Sequence, residues 1–212
     1  MDTLHHIAQK FSLKIEPGQL YVEIPEIRRD ALGPLFAELG FMVGAEVGVE
    51  GGLFSEVLLE ANPELKLYSI DRWVADLEYR PGDAQDKVDE YYRKTKERLA
   101  RFPNSIIVRQ DSLATAKQFE DGSLDFVYLD ADHTYAAVVN DINEWTKKVR
   151  VGGIVAGHDY ARYPVPNNIH VVFALEGYAK SYGISPVFVI GRKDKKDDKK
   201  RNGIRSWMFV KQ

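Results

Sequence analysis

The chain has 212 residues, enough for one domain with a substantial core, and its 44% hydrophobic and 29% charged residues are the balance of an ordinary soluble protein. A net charge of −3, the lack of any apolar run long enough to span a membrane and the lack of a signal-peptide core predict a cytoplasmic protein with neither nucleic acid nor membrane as partner. Because there is no cysteine, disulfides are excluded and any metal ligands must be histidine or carboxylate side chains.

The first forty residues carry no motif, and we interpret residues 1–40 as an N-terminal arm and helix that precede a domain of residues 41–212. Residues 20–24 alternate between apolar and polar side chains, which predicts a short strand or an extended arm. Apolar residues recur at helical spacing over residues 25–39, and Gly40 would end that helix. The arm could also serve a homodimer.

A strand over residues 44–49 runs directly into a glycine turn, which is followed by a helix over residues 53–61 and a second strand over residues 65–70. Asp71 follows that strand at once. Glycine lets the backbone approach a ligand closely, and a helix N-terminus offers unpaired N–H groups. This order is typical of half of a nucleotide-binding fold, in which the acid takes both hydroxyls of a ribose.

The polar segment of residues 72–86 is long for a connection between a strand and a helix, so we interpret it as a lid, with an ordinary surface loop as the alternative. A charged amphipathic helix is predicted over residues 84–100 and a third strand over residues 105–108. Asp111 and Ser112 follow this strand and precede a short helix, which Ser112 could cap.

The most informative pattern is a βαβ unit over residues 124–160. A buried strand over residues 124–129 is followed by a helix whose apolar face extends to Val149, and by a second strand over residues 154–156. Because the carboxyl ends of parallel strands meet at one edge of a sheet, the polar residues at both tips should border one crevice. These residues are Asp130, His133, His158 and Asp159.

The remainder of the chain predicts a helix over residues 169–182 and two final strands over residues 186–190 and 206–210. The stretch between these strands is rich in charges of both signs. It indicates a solvated hairpin tip, with a binding patch as the alternative.

The glycine turn departs from the G-x-G-x-x-G pattern of dinucleotide-binding folds. Val49 stands where the second glycine would be, and Glu46 and Glu50 bring negative charge towards the ligand. These features argue against a pyrophosphate, and therefore against a nicotinamide-dependent dehydrogenase. They suit a ligand that carries an amine or a sulfonium together with a ribose, and S-adenosylmethionine meets these requirements.

Several stretches carry a family resemblance: EVGVEGGLFS, YSIDRW, RQDS, and LDFVYLDADHTYAAV followed by GGIVAGHDY. In their order and spacing they resemble the successive motifs of class I S-adenosylmethionine-dependent methyltransferases, over about residues 42–190. The nearest resemblance is to the branch of macrocin O-methyltransferase and related sugar O-methyltransferases. It implies an α/β, Rossmann-like fold with a seven-stranded sheet of order 3-2-1-4-5-7-6, the last strand antiparallel, and helices on both faces.

The resemblance also implies the residues that contact the cofactor. The negative and small residues of the motifs would surround its methionine and sulfonium parts, and later motifs would face its adenosine. The implied contacts are Glu46 with the amino group, Gly48 and Gly52 with the methionine and sulfonium portion, Asp71 with the ribose, and Asp111 and Ser112 with the adenine.

An aliphatic hydroxyl needs a base or a metal before it can accept a methyl group. Metal-dependent sugar O-methyltransferases place a histidine three residues after the first acidic ligand, so the resemblance implies His133 as the catalytic base beside Asp130. It implies a divalent cation (Mg, Mn or Zn) bound by Asp130, His158 and Asp159. Magnesium prefers oxygen ligands whereas imidazole suits zinc or manganese, so His158 leaves the ion and its presence open. Alternatively, Asp130 contacts the methionine part of the cofactor, His158 shapes the pocket and His133 is solvated.

These observations predict an O-methyltransferase that acts on a hydroxyl of a small molecule, with a sugar-containing metabolite as one candidate. Two alternatives remain at this stage. One is a metal-free O- or N-methyltransferase that acts on a small metabolite, and the other is a non-catalytic nucleotide-binding module of the same fold.

Overall fold

The computed structural model describes residues 2–76, 84–162, 169–192 and 204–212. The eight strands within these ranges form one sheet of order β1-β7-β8-β6-β5-β2-β3-β4. The strands are β1 (Tyr21–Ile24), β2 (Val43–Val47), β3 (Lys66–Asp71), β4 (Ser105–Arg109), β5 (Leu124–Leu129), β6 (Val149–Gly157), β7 (Val187–Ile190) and β8 (Ser206–Val210).

Seven α-helices and one turn of 3₁₀ helix (Arg29–Ala31) lie in the same ranges. The predicted helix over residues 25–39 is shorter than expected, because the chain enters it through this 3₁₀ turn. The first helix was not predicted; Asp2 caps it by accepting a hydrogen bond from the backbone N–H of His5. The helices are α1 (Thr3–Lys10), α2 (Leu32–Glu38), α3 (Leu53–Ala61), α4 (Gln85–Leu99), α5 (Ser112–Ala116), α6 (Tyr135–Lys148) and α7 (Val171–Tyr182).

The prediction of a seven-stranded sheet was wrong in the number of strands. Residues 21–24 form β1, which pairs in parallel with β7 and adds an eighth strand at the edge. The other seven strands follow one another in the order expected for a Rossmann-like methyltransferase sheet. Since β8 runs antiparallel to both β6 and β7, the sheet is mixed.

The sheet separates two hydrophobic cores because successive side chains of a strand point to opposite faces. In β5, Phe126 and Tyr128 belong to the core beneath α1, α2 and α3, whereas Val127 and Leu129 belong to the core beneath α6 and α7. Both faces are therefore covered by helices, as predicted. This double cover explains why β5 reads as an almost continuous apolar run.

The boundary between α6 and β6 lies earlier than the sequence suggests. Val149, predicted on the apolar face of the helix, is the first residue of β6. Leu124 pairs with Val149 but Phe126 pairs with Ile154, so the intervening residues of β6 form a bulge. Helical spacing cannot detect this change, because Val149 fits the apolar face of the predicted helix and is fully buried as a strand residue.

Residues 77–83 of the predicted lid and residues 193–203 of the predicted hairpin tip lie outside the described residues, as do residues 163–168. The lid and the solvated hairpin tip therefore stay predictions. Within the ranges that the structure describes, no helix combines the length and apolarity that crossing a membrane would require.

Candidate active site

The glycine turn between β2 and α3 lies against the loop that follows β5. Gly48 has a φ of +91°, and a Cβ atom there would lie 2.2 Å from the carbonyl oxygen of Asp130. Gly52 has a φ of +77° at the N-cap of α3. Both positions require glycine, the first for its close approach and both for a backbone conformation that other residues rarely adopt. The turn is thus fixed directly beside Asp130.

Asp71, predicted to bind a ribose, makes three hydrogen bonds to backbone N–H groups. Its Oδ2 accepts from Val49 at 3.0 Å and from Glu50 at 2.9 Å, and its Oδ1 accepts from Trp73 at 2.8 Å. The Trp73 indole in turn donates to the carbonyl oxygen of Glu50 at 2.8 Å. Asp71 therefore holds the glycine turn in shape, and its contact with a ribose stays a prediction.

Glu46, near the end of β2, is a buried carboxyl group with only 2% of its surface exposed. The hydroxyl of Ser55 donates to its Oε2, and Ser55 also lies 2.8 Å from the hydroxyl of Ser69. Burial raises the pKa of Glu46 to about 8, although the hydrogen bond from Ser55 opposes this change. The sequence identified the residue but could not reveal its burial.

Asp111 and Ser112, predicted near an adenine, stand at the start of α5. The Asp111 side chain caps the helix by accepting from the N–H of Ala114 at 3.0 Å. Ser112 donates to Asp141 at 2.6 Å and accepts from the Trp145 indole at 2.9 Å. The expected cap was therefore the wrong residue, while contact of either residue with an adenine stays a prediction.

Asp141 of α6 was not singled out from the sequence. Its carboxylate is buried, and this burial raises its pKa to about 6 against the opposing effect of the hydrogen bond from Ser112. In the sequence it is only one acid at a core-facing position of α6, and no motif marks it as part of a site.

The polar tips of β5 and β6 meet, as predicted from the βαβ unit. Nε2 of His133 lies 3.0 Å from Oδ2 of Asp159 and 3.4 Å from Oδ1 of Asp130. Nδ1 of His158 lies 3.3 Å from Oδ2 of Asp159 and 3.9 Å from Oδ1 of Asp130. We call these four residues the tip cluster.

Asp159 has a φ of +55°, a conformation that costs a non-glycine residue free energy and that recurs at functional sites. Its carboxylate is buried, and burial alone would raise its pKa. The hydrogen bond with His158 and the electrostatic interaction with His133 outweigh burial and lower the pKa of Asp159. The tip cluster is therefore arranged to keep this carboxylate ionised.

A divalent cation would find three ligand atoms in the tip cluster. One atom each from Asp130, His133 and Asp159 lies within 4.8 Å of the other two. Such a set of two carboxylates and one imidazole fits manganese or zinc better than magnesium. The imidazole in this set is that of His133, whereas the sequence pointed to His158, whose role as a ligand stays a prediction.

Arg29 enters the site from the N-terminal segment and was not predicted there. Its Nη1 lies 3.3 Å from Oδ2 of Asp130, and its guanidinium carbon lies 5.3 Å from the centre of the Phe54 ring. Nothing in the sequence distinguishes this arginine from its neighbour Arg28, because only the fold brings the 3₁₀ turn over the glycine turn.

Comparison with known proteins connects this geometry to a family. The sequence pattern of a family described as "Methyltransferase domain" matches residues 45–160, which is more than half of the chain. The chain belongs to this family. The match includes the glycine turn, Asp71, Asp111 and the whole tip cluster, but it excludes Arg29.

Solved structures that resemble this methyltransferase include three described as O-methyltransferases. A putative caffeoyl-CoA O-methyltransferase from Staphylococcus aureus has a TM-score of 0.62 and 14% identity, over 98% of this chain and 90% of its own. A putative O-methyltransferase from Klebsiella pneumoniae has a TM-score of 0.60 and 14% identity, over 86% of this chain and 79% of its own. An O-methyltransferase from Bacillus cereus, solved in complex with SAH, has a TM-score of 0.58 and 15% identity, over 100% of this chain and 91% of its own. At these identities the likeness shows the fold. No curated protein matches the sequence.

Proposed function

We propose that this protein transfers the methyl group of S-adenosylmethionine to a hydroxyl group of a small molecule. The observation that carries the proposal is the contact between the glycine turn and the tip cluster, where Gly48 passes against the backbone of Asp130. In a methyltransferase this contact would bring a cofactor held by the turn next to the acceptor side of the site. The O-methyltransferase fold neighbours support transfer to oxygen.

The charges around the turn favour a cationic cofactor. Glu50 lies within the turn and Glu46, Asp71 and Asp130 lie beside it, and these acids would disfavour a pyrophosphate. A sulfonium and an ammonium group gain from the same charges. The resemblance of the Bacillus cereus enzyme, solved with SAH, supports this choice of cofactor.

His133 is the proposed general base. The hydroxyl oxygen of the acceptor attacks the methyl carbon, the carbon–sulfur bond breaks, and its electron pair remains on sulfur as the neutral thioether. The proton of the hydroxyl passes to His133, whose Nε2 lies between the carboxylates of Asp130 and Asp159. These carboxylates would stabilise the positive charge that the imidazole acquires.

A metal-assisted form of the reaction is favoured by the three ligand atoms of Asp130, His133 and Asp159. A bound divalent cation would supply Lewis-acid polarisation of the acceptor oxygen. In that arrangement His133 holds the ion and does not take the proton. The acceptor class that we propose is a small hydroxylated molecule; the sequence resemblance to sugar O-methyltransferases supports a sugar-containing one.

The first experiment measures cofactor binding and turnover separately. We expect S-adenosylmethionine to bind in calorimetric titration, and its conversion to S-adenosylhomocysteine to depend on a member of a panel of sugar, catechol and aliphatic hydroxyl acceptors. His133→Gln should lower turnover by about 10² to 10⁴-fold, the range typical of a general base, and leave cofactor affinity nearly unchanged. His5→Gln, an exposed histidine of α1, is the matched control. No binding of cofactor to the wild type would refute the proposed function.

The same assay decides between base and metal. After dialysis against a chelator, a base mechanism keeps its activity, whereas a metal mechanism loses it and regains it when Mn²⁺ or Zn²⁺ is added. Unchanged activity after chelation would refute the metal-assisted form.

A further inference from the structure

Arg29 is a charged side chain that the sequence gives no reason to place in a methyltransferase site. It belongs to the 3₁₀ turn before α2, outside the residues that match the family. Its guanidinium nevertheless packs over the ring of Phe54, the second residue of α3, directly after the glycine turn. Only 23% of its side chain is exposed. A charged group held so far from water normally has a partner that repays its desolvation.

The interaction with Asp130 offsets the free-energy cost of this desolvation only in part. The single contact between the two residues is 3.3 Å long, whereas charge-assisted hydrogen bonds are typically about 2.7–2.9 Å and arginine pairs best with two parallel bonds. A guanidinium offers five N–H donors. Burial disfavours its charge, yet Tyr128, which also makes a hydrogen bond with the guanidinium, and Asp130 outweigh burial and raise the pKa of Arg29, so the group is a permanent cation. After the bonds with Tyr128 and Asp130, the guanidinium still has N–H donors for a second anionic partner.

Glu46 and Arg29 interact electrostatically beside the glycine turn, Arg29 as a cation and Glu46 as a carboxyl group that would ionise next to a ligand ammonium group. Glu46 and Tyr128 are directly paired across β2 and β5, and both interact electrostatically with Arg29. A ligand that carries an ammonium and a carboxylate on one carbon atom would match this pair of charges. The methionine moiety of S-adenosylmethionine is such a ligand.

We propose that Arg29 binds the α-carboxylate of the methionine moiety of S-adenosylmethionine, opposite the ammonium group that Glu46 receives. This assignment rests on the proposed function. It makes a residue of the N-terminal segment part of the cofactor site, as a residue that positions the cofactor and discriminates ligands with the carboxylate from ligands without it.

The experiment compares two ligands that differ only in this carboxylate: S-adenosylhomocysteine and its decarboxylated analogue, which keeps the adenosine, the sulfur and the amine. Calorimetric titration of the wild type should show that S-adenosylhomocysteine binds roughly 10- to 100-fold more tightly than the analogue, the range expected for a hydrogen-bonded charge pair. In Arg29→Gln this ratio should fall to about one, because the variant lacks the guanidinium that would bind the carboxylate, the only group by which the two ligands differ. Arg29→Lys should retain part of the ratio.

Arg28→Gln is the matched control, since it removes the same charge from the adjacent, exposed position and should keep the wild-type ratio. A purely structural role for Arg29, through Phe54 or Asp130, would weaken both ligands by the same factor in Arg29→Gln and would overturn the assignment. So would a wild type that binds both ligands equally. If Arg29→Gln unfolds, the ratio in Arg29→Lys decides, and a ratio equal to that of the wild type refutes the proposal. Absence of any binding to the wild type would instead refute the proposed function on which this inference rests.

Discussion

Glu46 illustrates how one buried side chain joins the stability of the fold to its function. Its carboxyl group is buried and accepts a hydrogen bond from Ser55, which also contacts Ser69, so ionisation is costly until a cation arrives. A ligand ammonium group would supply that cation. The buried carboxyl group thus lowers the stability of the ligand-free protein and raises its affinity for a cationic ligand, which is a common property of functional sites.

This effect predicts a pH dependence of stability. The pKa of Glu46 is about 8 in the folded protein against an ordinary value of 4.5, so the stability it contributes is fully present below pH 4.5 and is lost as the pH rises towards 8. The loss would approach about 1.4 kcal/mol per pH unit. Glu46→Gln keeps an acceptor for Ser55 but cannot ionise. We therefore expect the free energy of unfolding of the wild type, measured with urea, to fall relative to that of Glu46→Gln between pH 5 and pH 8. A difference that stays constant with pH would contradict the prediction.

At the scale of single residues, the sequence predicted which residues lie together wherever a residue type is tied to a motif position. The acids and glycines of the turn and the members of the tip cluster were predicted in this way, and the structure brings them together. It could not predict Arg29, because its place depends on a contact between segments far apart in the chain. Nor could it predict that Asp71 accepts three backbone N–H groups, since turn geometry decides that.

At the scale of elements, Asp125 connects two strands at the edge of the sheet opposite the site. Its Oδ2 accepts from the backbone N–H groups of Met42 and Val43 at 2.7 and 2.9 Å, at the start of β2. Its Oδ1 accepts from Nε of Arg150 at 2.7 Å, in the bulge of β6. One carboxylate thus fixes the register of β2 and the shape of the bulge, and both strands lead to the site.

Asp125→Ala removes the acceptor of two backbone N–H groups, so we expect a loss of roughly 2–3 kcal/mol in the free energy of unfolding. Asp125→Asn is the matched variant, because it keeps an oxygen for Met42 and Val43 and loses only the ion pair. Arg150 is 42% exposed, so that pair is screened by water and should be worth at most about 1 kcal/mol. Urea unfolding of the three proteins tests the ranking. Equal losses in both variants would show that the ion pair, and not the backbone contacts, stabilises this edge.

The sequence predicted well the helices with a clear period, α3 and α6, and the strand β5, which is an almost continuous apolar run. The sequence-based prediction was wrong or ambiguous where the pattern of apolar residues fits more than one kind of element. Val149 is buried as a strand residue at a position that also fits the helix, and β1 is too short for alternation to distinguish a strand from an extended arm. In both cases pairing with a distant strand decides the conformation, and single-sequence patterns do not contain that information.

At the scale of the whole molecule, the N-terminal segment shares the core of the methyltransferase domain. Ile7 of α1 and Ile24 of β1 are buried in the same cluster as Leu58 of α3, Phe126 of β5 and other residues of the central sheet. The predicted boundary at residue 40 stays a prediction about domain organisation. A core that includes both segments nevertheless leads us to expect that they unfold together.

Ile7→Ala tests this expectation. Ile7 is fully buried, so the substitution removes about 2–5 kcal/mol through lost burial and the cavity that remains. If the two segments are one cooperative unit, the main transition shifts by that amount. The unfolding transition measured by near-ultraviolet circular dichroism, which reports on the tryptophans of the larger segment, then coincides with the transition measured in the far ultraviolet. Val151→Ala, at a side chain that is 70% exposed, is the control and should leave the transition in place. An unshifted near-ultraviolet transition in Ile7→Ala would show that α1 is an independent arm.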